Sequence, residues 1–248
     1  MASRTYKRTC LVLKKTKLGE TDAIVTMLGS DGYQVRAVAK GLRKPGNRIG
    51  ARLEPFSISE VLLHKGRSLD VVGEVSVVQT NACLRTDLVL TSAASVIAEF
   101  LEKVTRDGAY AGERVFQLSE VALSALGGGG VEQAGLFVAA FLMKALALQG
   151  FRPAIHECAA CGRPLKTPAR FDIDLGGALC QDCAPVAAGK AVDLSLVGWI
   201  DALLHRTFAE LSSVTGAPDI GLLSVCESWM RAHLSLNLRS LGFFMSCI

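Results

Sequence analysis

Cys158 and Cys161 are separated by two residues, as are Cys180 and Cys183, and 18 residues lie between the pairs. This is metal-ligand spacing. Two intervening residues let both sulfurs of a pair turn onto one ion, and the loop between the pairs closes around it at tetrahedral angles. Gly162 follows the first pair, where a tight knuckle favours a residue without a β-carbon. Four thiolates leave no coordination position open, so the expected ion is one structural Zn2+ per chain and not a catalytic one. Four free thiols and a redox pair are the alternatives, and His156 could replace one cysteine as a ligand. Zinc deaminases also use paired cysteines, but they need H-x-E and then P-C-x-x-C. Here His156-Glu157 lacks the spacer and Leu179 precedes Cys180, so that chemistry is excluded. Cys10, Cys83, Cys226 and Cys247 stand in apolar contexts and read as small core residues.

The second chemical signal is basic. Arg4, Lys7, Arg8, Lys14, Lys15 and Lys17 precede the first acid, Glu20. Arg36, Lys40, Arg43, Lys44, Arg48 and Arg52 fill the acid-free interval between Asp31 and Glu54. Gly41, Pro45, Gly46 and Gly50 punctuate that interval, so most of it reads as a loop. Residues 1–80 hold 14 Lys and Arg against 7 Asp and Glu, a balance of +7, while the remainder carries −3. Such asymmetry points to a polyanion partner for the N-terminal third. A basic loop beside a small barrel can follow a phosphate backbone, with Arg43, Lys44, Arg48 and Arg52 as its loop-borne part. The alternatives are a solvated face, or contact through Arg163, Lys166 and Arg170 near the cysteines. Gly41-x4-Gly46 has Asn47 where a nucleotide-binding loop needs lysine, so that motif fails. Tyr6, Tyr33 and Phe56 are candidates for base stacking or for core.

The elements that must position these residues change character along the chain. Residues 1–80 show short apolar runs at 9–13, 22–28, 33–39, 56–63 and 69–78, the pattern of β-strands. Gly29-Ser30-Asp31-Gly32 reads as a hairpin turn. In the last run Val71, Val75 and Val77 are placed on one face, with Val72, Glu74 and Ser76 on the other. Five short strands suit a closed barrel, either an OB-fold or an SH3-like one. From about residue 83 the spacing is helical, with helices expected at 112–126, 131–149, 194–211 and 219–240. Gly127 to Gly130 reads as a break between two of them. The expected class is α+β: an N-terminal barrel over 1–80, then a helical domain over 81–248 with the cysteine module inserted at about 150–193.

Half the residues are apolar and a fifth are charged, which marks a globular chain. The longest charge-free apolar stretch, Ala134 to Met143, is shorter than the roughly 18 residues a spanning helix needs, so no membrane contact is expected. The N-terminus has no signal-peptide pattern, and paired thiols without that context point to metal in a reducing cytoplasm. His64, His156, His205 and His233 stand in no recognised catalytic arrangement, and H-E-x-x-H and G-x-S-x-G are absent, so no enzyme is expected. A non-catalytic zinc-ribbon adaptor of RNA polymerase or the ribosome is the competing class.

The order of motifs resembles the RecO family of bacterial DNA repair and recombination mediators. The residues that carry the likeness are Gly19, Glu20 and Asp22; Ala39, Lys40, Gly41, Arg43 and Lys44; Leu53, Pro55 and Phe56; and Gly66 and Arg67. The four cysteines and Leu238-Arg239-Ser240-Leu241 complete it, over nearly the whole chain. Asn47 departs from the family pattern, which often has Ser there. The resemblance implies an OB-fold barrel followed by an α-helical domain carrying a zinc ribbon. It implies binding of single- and double-stranded DNA, annealing of complementary strands, and help in RecA loading. The partners implied are RecR and the acidic C-terminal tail of single-strand-binding protein, the latter in a helical groove with a basic rim. Arg152, Arg206, Arg231 and Arg239 are the rim candidates. The implied location is the cytoplasm, on the nucleoid.

Overall fold

The computed structural model describes residues 5–248 except Pro45, and Arg48 by its backbone alone. Arg4 lies outside the described residues. Two compact units divide the chain, Met1–Gly127 and Gly128–Ile248.

The first unit opens with β1 (Thr5–Leu18), β2 (Asp22–Gly29), β3 (Gln34–Ala39), β4 (Ile58–His64) and β5 (Asp70–Gln79). They form a closed barrel in the order β1-β2-β3-β5-β4. β1 pairs back to β4, and a short parallel contact joins β3 to β5. This order is the OB arrangement and decides against the SH3-like alternative. The β2–β3 connection is the expected tight turn: Gly29 N donates to Tyr33 O, and Gly32 takes φ +81°.

Val12, Val25, Val35, Ala37, Val61 and Leu63 are among the residues that fill the barrel. The alternating pattern breaks on β1 and on β5. On β1, Val12 pairs with Met27 but Lys14 with Thr26, so Leu13 is the extra residue of a bulge. Beyond it, Lys15 and Lys17 fall opposite the inward-facing Val25 and Ala23, while Lys14 moves to the outer face. On β5, Val75 pairs with Val61 and Val72 with Leu63. The strand therefore carries one residue too many there. The expected grouping of Val71 with Val75 is corrected: the bulge buries Val72 and Val75 and leaves Val71 half-buried.

The basic interval is not all loop. It contains α1 (Arg48–Arg52), capped by Asn47, whose Oδ1 accepts from Ile49 N at 2.8 Å and Gly50 N at 3.3 Å. Ser and Asn are interchangeable at such a cap, so the departure at Asn47 preserves the local structure. After the barrel come α2 (Leu88–Val104) and α3 (Glu113–Gly129). Asp87 caps α2 by accepting from Leu90 N at 3.0 Å. α2 packs on the outer face of β1 and β2, and Leu11 and Leu28, outside the barrel core, are fully buried.

The expected glycine break shrinks to its last residue. Gly127, Gly128 and Gly129 continue α3, and only Gly130 turns to positive φ. Close packing explains two of the three. A Cβ on Gly127 would stand 2.8 Å from Cys83 Sγ, and one on Gly129 would stand 2.5 Å from the Phe137 ring. Cys83 itself is exposed, against the core expectation, because it lies in the short turn before α2 where Leu84 is the buried residue. Cys10 and Cys226 are buried as expected, and Cys247 is half-buried.

The second unit is built around α4 (Ala134–Leu148), which α5 (Val197–His205), α6 (Phe208–Leu211) and α7 (Asp219–Leu234) contact. α8 (Arg239–Met245) follows. The stretch Val131–Leu148 is long and apolar enough to cross a bilayer by composition, yet 67% of it is buried here. That is the pattern of a central core helix. The helix expected over 194–211 divides at Arg206, where Thr207 and Glu210 form a capping box that starts α6. The one expected over 219–240 stops at Leu234, because Ser235 takes a left-handed conformation. Between α4 and α5 lies a small sheet, ordered β7-β6-β8, of β6 (Arg170–Asp172), β7 (Gly177–Leu179) and β8 (Ala191–Val192).

Candidate metal centre and nucleic-acid interface

The cysteine module is shaped by its backbone before any ion enters. Gly162 N donates to Cys158 O at 2.8 Å, and Gly162 sits at φ +71°, closing the first knuckle. Cys183 N reaches Cys180 O at 3.2 Å and closes the second. β7 delivers the chain into Cys180, so the small sheet sets the spacing between knuckles.

All four sulfurs lie within 4.8 Å of one another, and Cys161 Sγ is 3.9 Å from Cys180 Sγ. A tetrahedral zinc with bonds of about 2.3 Å requires sulfur separations of about 3.8 Å. The donor set therefore fits. His156 is not in the group; its Nε2 is 3.0 Å from Asp201 Oδ1.

The electrostatics agree with a cation site. The Cys180 backbone N–H points at Cys158 Sγ at 3.4 Å and, with the N–H groups of Cys161 and Ala160, holds that thiol down at about 6. The Arg163 backbone N–H, then its guanidinium, lowers Cys161 as well; Arg163 Nε lies 3.4 Å from that sulfur. Hydrogen bonding to the neighbouring sulfurs, Cys180 foremost, pushes Cys183 up to about 12. Four thiolates so close together cannot all stay charged by themselves, and a divalent cation removes the conflict.

The module rests on α7. Phe171 of β6 stacks near Trp229 with ring centroids 6.0 Å apart, and Trp229 Nε1 donates to Phe151 O at 2.9 Å. His233 Nε2 is 2.8 Å from Ile173 O, and Lys190 Nζ donates to Ser228 Oγ at 2.7 Å. Asp172, fully buried, accepts from Arg170 and from Leu175 N.

The barrel's candidate DNA-binding residues fall into three sets. Lys7 pairs with Glu60, Arg8 with Asp31, Lys14 with Glu102 and Lys15 with Glu54, at 3.3, 2.8, 3.3 and 2.7 Å. Arg43 and Arg52 hold the fold: Arg43 Nη1 donates to Gly19 O and Glu20 O, and Arg52 Nη1 to Val75 O. Arg43 is also drawn in through its backbone N–H to Thr21 O, and Asp22 Oδ1 accepts from Gly41 N at 2.7 Å. That contact, followed by one from Thr21, lowers the Asp22 carboxyl below its ordinary range. Lys17, Arg36, Lys40 and Lys44 are exposed and make no side-chain hydrogen bond or ion pair among the described residues. Arg48 joins α1 through its backbone, and Arg4 lies outside the described residues. Near the cysteines, Arg163 is committed to Asp182 at 2.7 Å and Arg170 to Asp172 at 3.0 Å.

Among the aromatic candidates, Phe56 is buried and Tyr6 is half-buried with its hydroxyl on Asp70. Tyr33 is exposed and faces Tyr110, a residue that the sequence pattern did not single out. Its partner came from a segment with no strand or basic signal.

A closed OB-like barrel followed by a helical unit with a clustered set of four cysteines defines a two-unit, modular protein. Two family models divide the chain: that for the N-terminal part of recombination protein O matches residues 1–81, and that for its C-terminal part matches residues 85–242. The DNA repair protein RecO of Cutibacterium acnes is 33% identical over 247 residues, covering 96% of this chain and 97% of that one. The chain belongs to the RecO family of DNA repair and recombination proteins.

Proposed function

We propose that this protein is a non-catalytic mediator that binds single- and double-stranded DNA, promotes annealing of complementary strands and, with RecR, helps load RecA on protein-coated single strands. The observation that carries the reading is that the candidate cations Lys17, Arg36, Lys40 and Lys44 are exposed on the barrel and unpaired among the described residues. Two strands repel through their phosphates, and a surface that neutralises both lowers the barrier to pairing. The paired cations Lys7, Arg8, Lys14 and Lys15 can join when phosphate displaces a carboxylate, since exposed ion pairs are worth only about 0–1 kcal/mol. We assign DNA binding to the barrel of residues 1–80, and partner contact and metal to 81–248.

Zn2+ held by Cys158, Cys161, Cys180 and Cys183 supplies folding energy to its module. The family also motivates a receptor for the acidic tail of single-strand-binding protein. Arg152, Arg206 and Arg231 are exposed on the second unit and suit its rim, as does Arg239, also exposed. We place this work in the cytoplasm, on the nucleoid. Annealing of complementary strands coated with single-strand-binding protein tests the proposal. Acceleration over the protein-free rate is expected. Equal rates with and without the protein would overturn it.

A further inference from the structure

On the first unit, a groove of about 630 Å3 crosses the outer face of β1–β3. Lys14, Thr26 and Arg36 form one cross-strand row in it, and Gln34 and the segment Thr105–Gly108 line it further along. Its charges nearly balance. Lys14 and Arg106 both reach Glu102, and Arg8 reaches Asp31, which leaves Arg36 as the groove's one cation without an ion pair among the described residues. A groove so neutralised is a poor track for duplex DNA, which offers phosphates outward and keeps its base faces stacked. It suits a ligand that brings something other than charge.

Beside this groove stand two exposed aromatic rings. Tyr33 directly precedes Gln34, and Tyr110 comes two residues after Gly108. The rings are 4.9 Å apart between centroids and tilted by 36°, and the residues are 45% and 54% exposed. They do no core work, yet the backbone holds them together firmly. Tyr33 and Tyr110 form a β-bridge, and Ala111 N donates to Gly32 O at 3.0 Å. Gly32 and Gly112 touch so closely that a Cβ on Gly32 would stand 2.7 Å from the Gly112 backbone. Both glycines have positive φ, +81° and +93°, which a side chain would resist. Two segments far apart in sequence are thus joined at a point where their chief product is a pair of solvent-facing rings.

We propose that Tyr33 and Tyr110 form a stacking platform for unpaired bases of a single strand that passes beside this groove. The inference rests on the DNA-binding reading and adds to it the preference for single strands. Every base has a π-face, so the platform is tolerant of sequence. Paired bases cannot reach it, so it discriminates strand from duplex.

The test measures affinity for a labelled single strand and for a duplex of the same length, using the full chain. Replacing both rings, Tyr33→Ala with Tyr110→Ala, should lower the single-strand to duplex affinity ratio by about 5- to 150-fold. The loss should persist as salt is raised, since stacking carries no counterion term. Tyr33→Phe with Tyr110→Phe should restore the ratio, because the ring and not the hydroxyl is the contact; this also separates stacking from misfolding. An unchanged ratio in the alanine pair, with DNA still bound, overturns the platform and leaves the DNA reading standing. Slower annealing at an unchanged ratio overturns it in favour of a protein contact. A parent protein that binds neither form overturns both readings.

Discussion

Reversing the charge of Lys17, Lys40 and Lys44 together should nearly abolish the salt dependence of single-strand binding. Each phosphate contact on a single strand adds about −0.7 to the slope of log affinity against log salt. If contact runs through the four candidate cations that make no ion pair among the described residues, Lys17, Arg36, Lys40 and Lys44, and not through the equally exposed Lys65 and Arg67, the parent slope is about −3. Raising salt from about 50 to about 200 mM should weaken the parent about 50-fold. The triple Glu variant keeps Arg36 alone of this set, so its slope should be about −0.7 and its loss over that range about threefold. These side chains are exposed and make no hydrogen bond or ion pair among the described residues, so melting temperature should move little and zinc content not at all. Arg43 is a poorer choice for reversal, because its guanidinium ties the segment to Gly19 and Glu20. The opposite perturbation, Glu54→Gln, releases Lys15 and should steepen the slope to about −3.5. Fluorescence anisotropy with a labelled oligonucleotide across a salt series reads all three proteins. A triple variant with the parent's slope and affinity would refute the reasoning and move the interface off this part of the barrel.

The metal site makes a separate demand: Cys158→Ser with Cys180→Ser should eliminate one equivalent of zinc by elemental analysis and lower the melting temperature, while single-strand affinity stays near the parent's. Asp219 offers a pH test. Burial raises its carboxyl to about 6, with Leu136 N–H opposing, and its Oδ1 is buried without a hydrogen-bond partner among the described residues. A raised carboxyl stabilises the fold at pH below its unfolded value near 3.8, and that contribution disappears as pH rises through about 6. Asp219→Asn should therefore gain roughly 1 kcal/mol at pH 7, after discounting for partial exposure, and nothing at pH 3; melting curves against pH check the sign. Gly32→Ala forces a Cβ against the Gly112 backbone at positive φ and should cost about 1–3 kcal/mol in chemical denaturation.

The parts of the molecule visible in the sequence are those governed by local rules. Val and Ile runs divided by Gly-Ser-Asp-Gly predict β2, its turn and β3, because backbone preference acts over a few residues. Cys-x2-Cys twice predicts the metal centre, because the geometry of one ion fixes the spacing. Failures came where a distant residue decides. Val72 displaces Val71 from the core because β4 imposes a bulge on β5, and no period within β5 reveals that. Gly127 and Gly129 read as a break, yet the neighbours that require their missing side chains, Cys83 and Phe137, are the cause of their composition. The basic runs were legible as charge but not as available charge, since Glu54, Glu60 and Glu102 reach Lys15, Lys7 and Lys14 only through the fold. Tyr110 lay outside every pattern and acquires its meaning from Tyr33 across the Gly32–Gly112 contact.

Trp229 gives the molecule an optical signature of its own. The chain has two tryptophans, and Trp199 is only half-buried, whereas Trp229 is 1% exposed, wedged between Phe171 and His233. Phe171 belongs to the cysteine module and Trp229 to α7, so the indole sits on the seam where the module is seated. Its emission should be blue-shifted while the module is docked and should shift to the red, with quenching, when a chelator removes the zinc proposed for the four cysteines. Zinc release can then be followed in real time without a dye, and the rate at which the indole meets water becomes a direct reading of how quickly the module lifts from its helix.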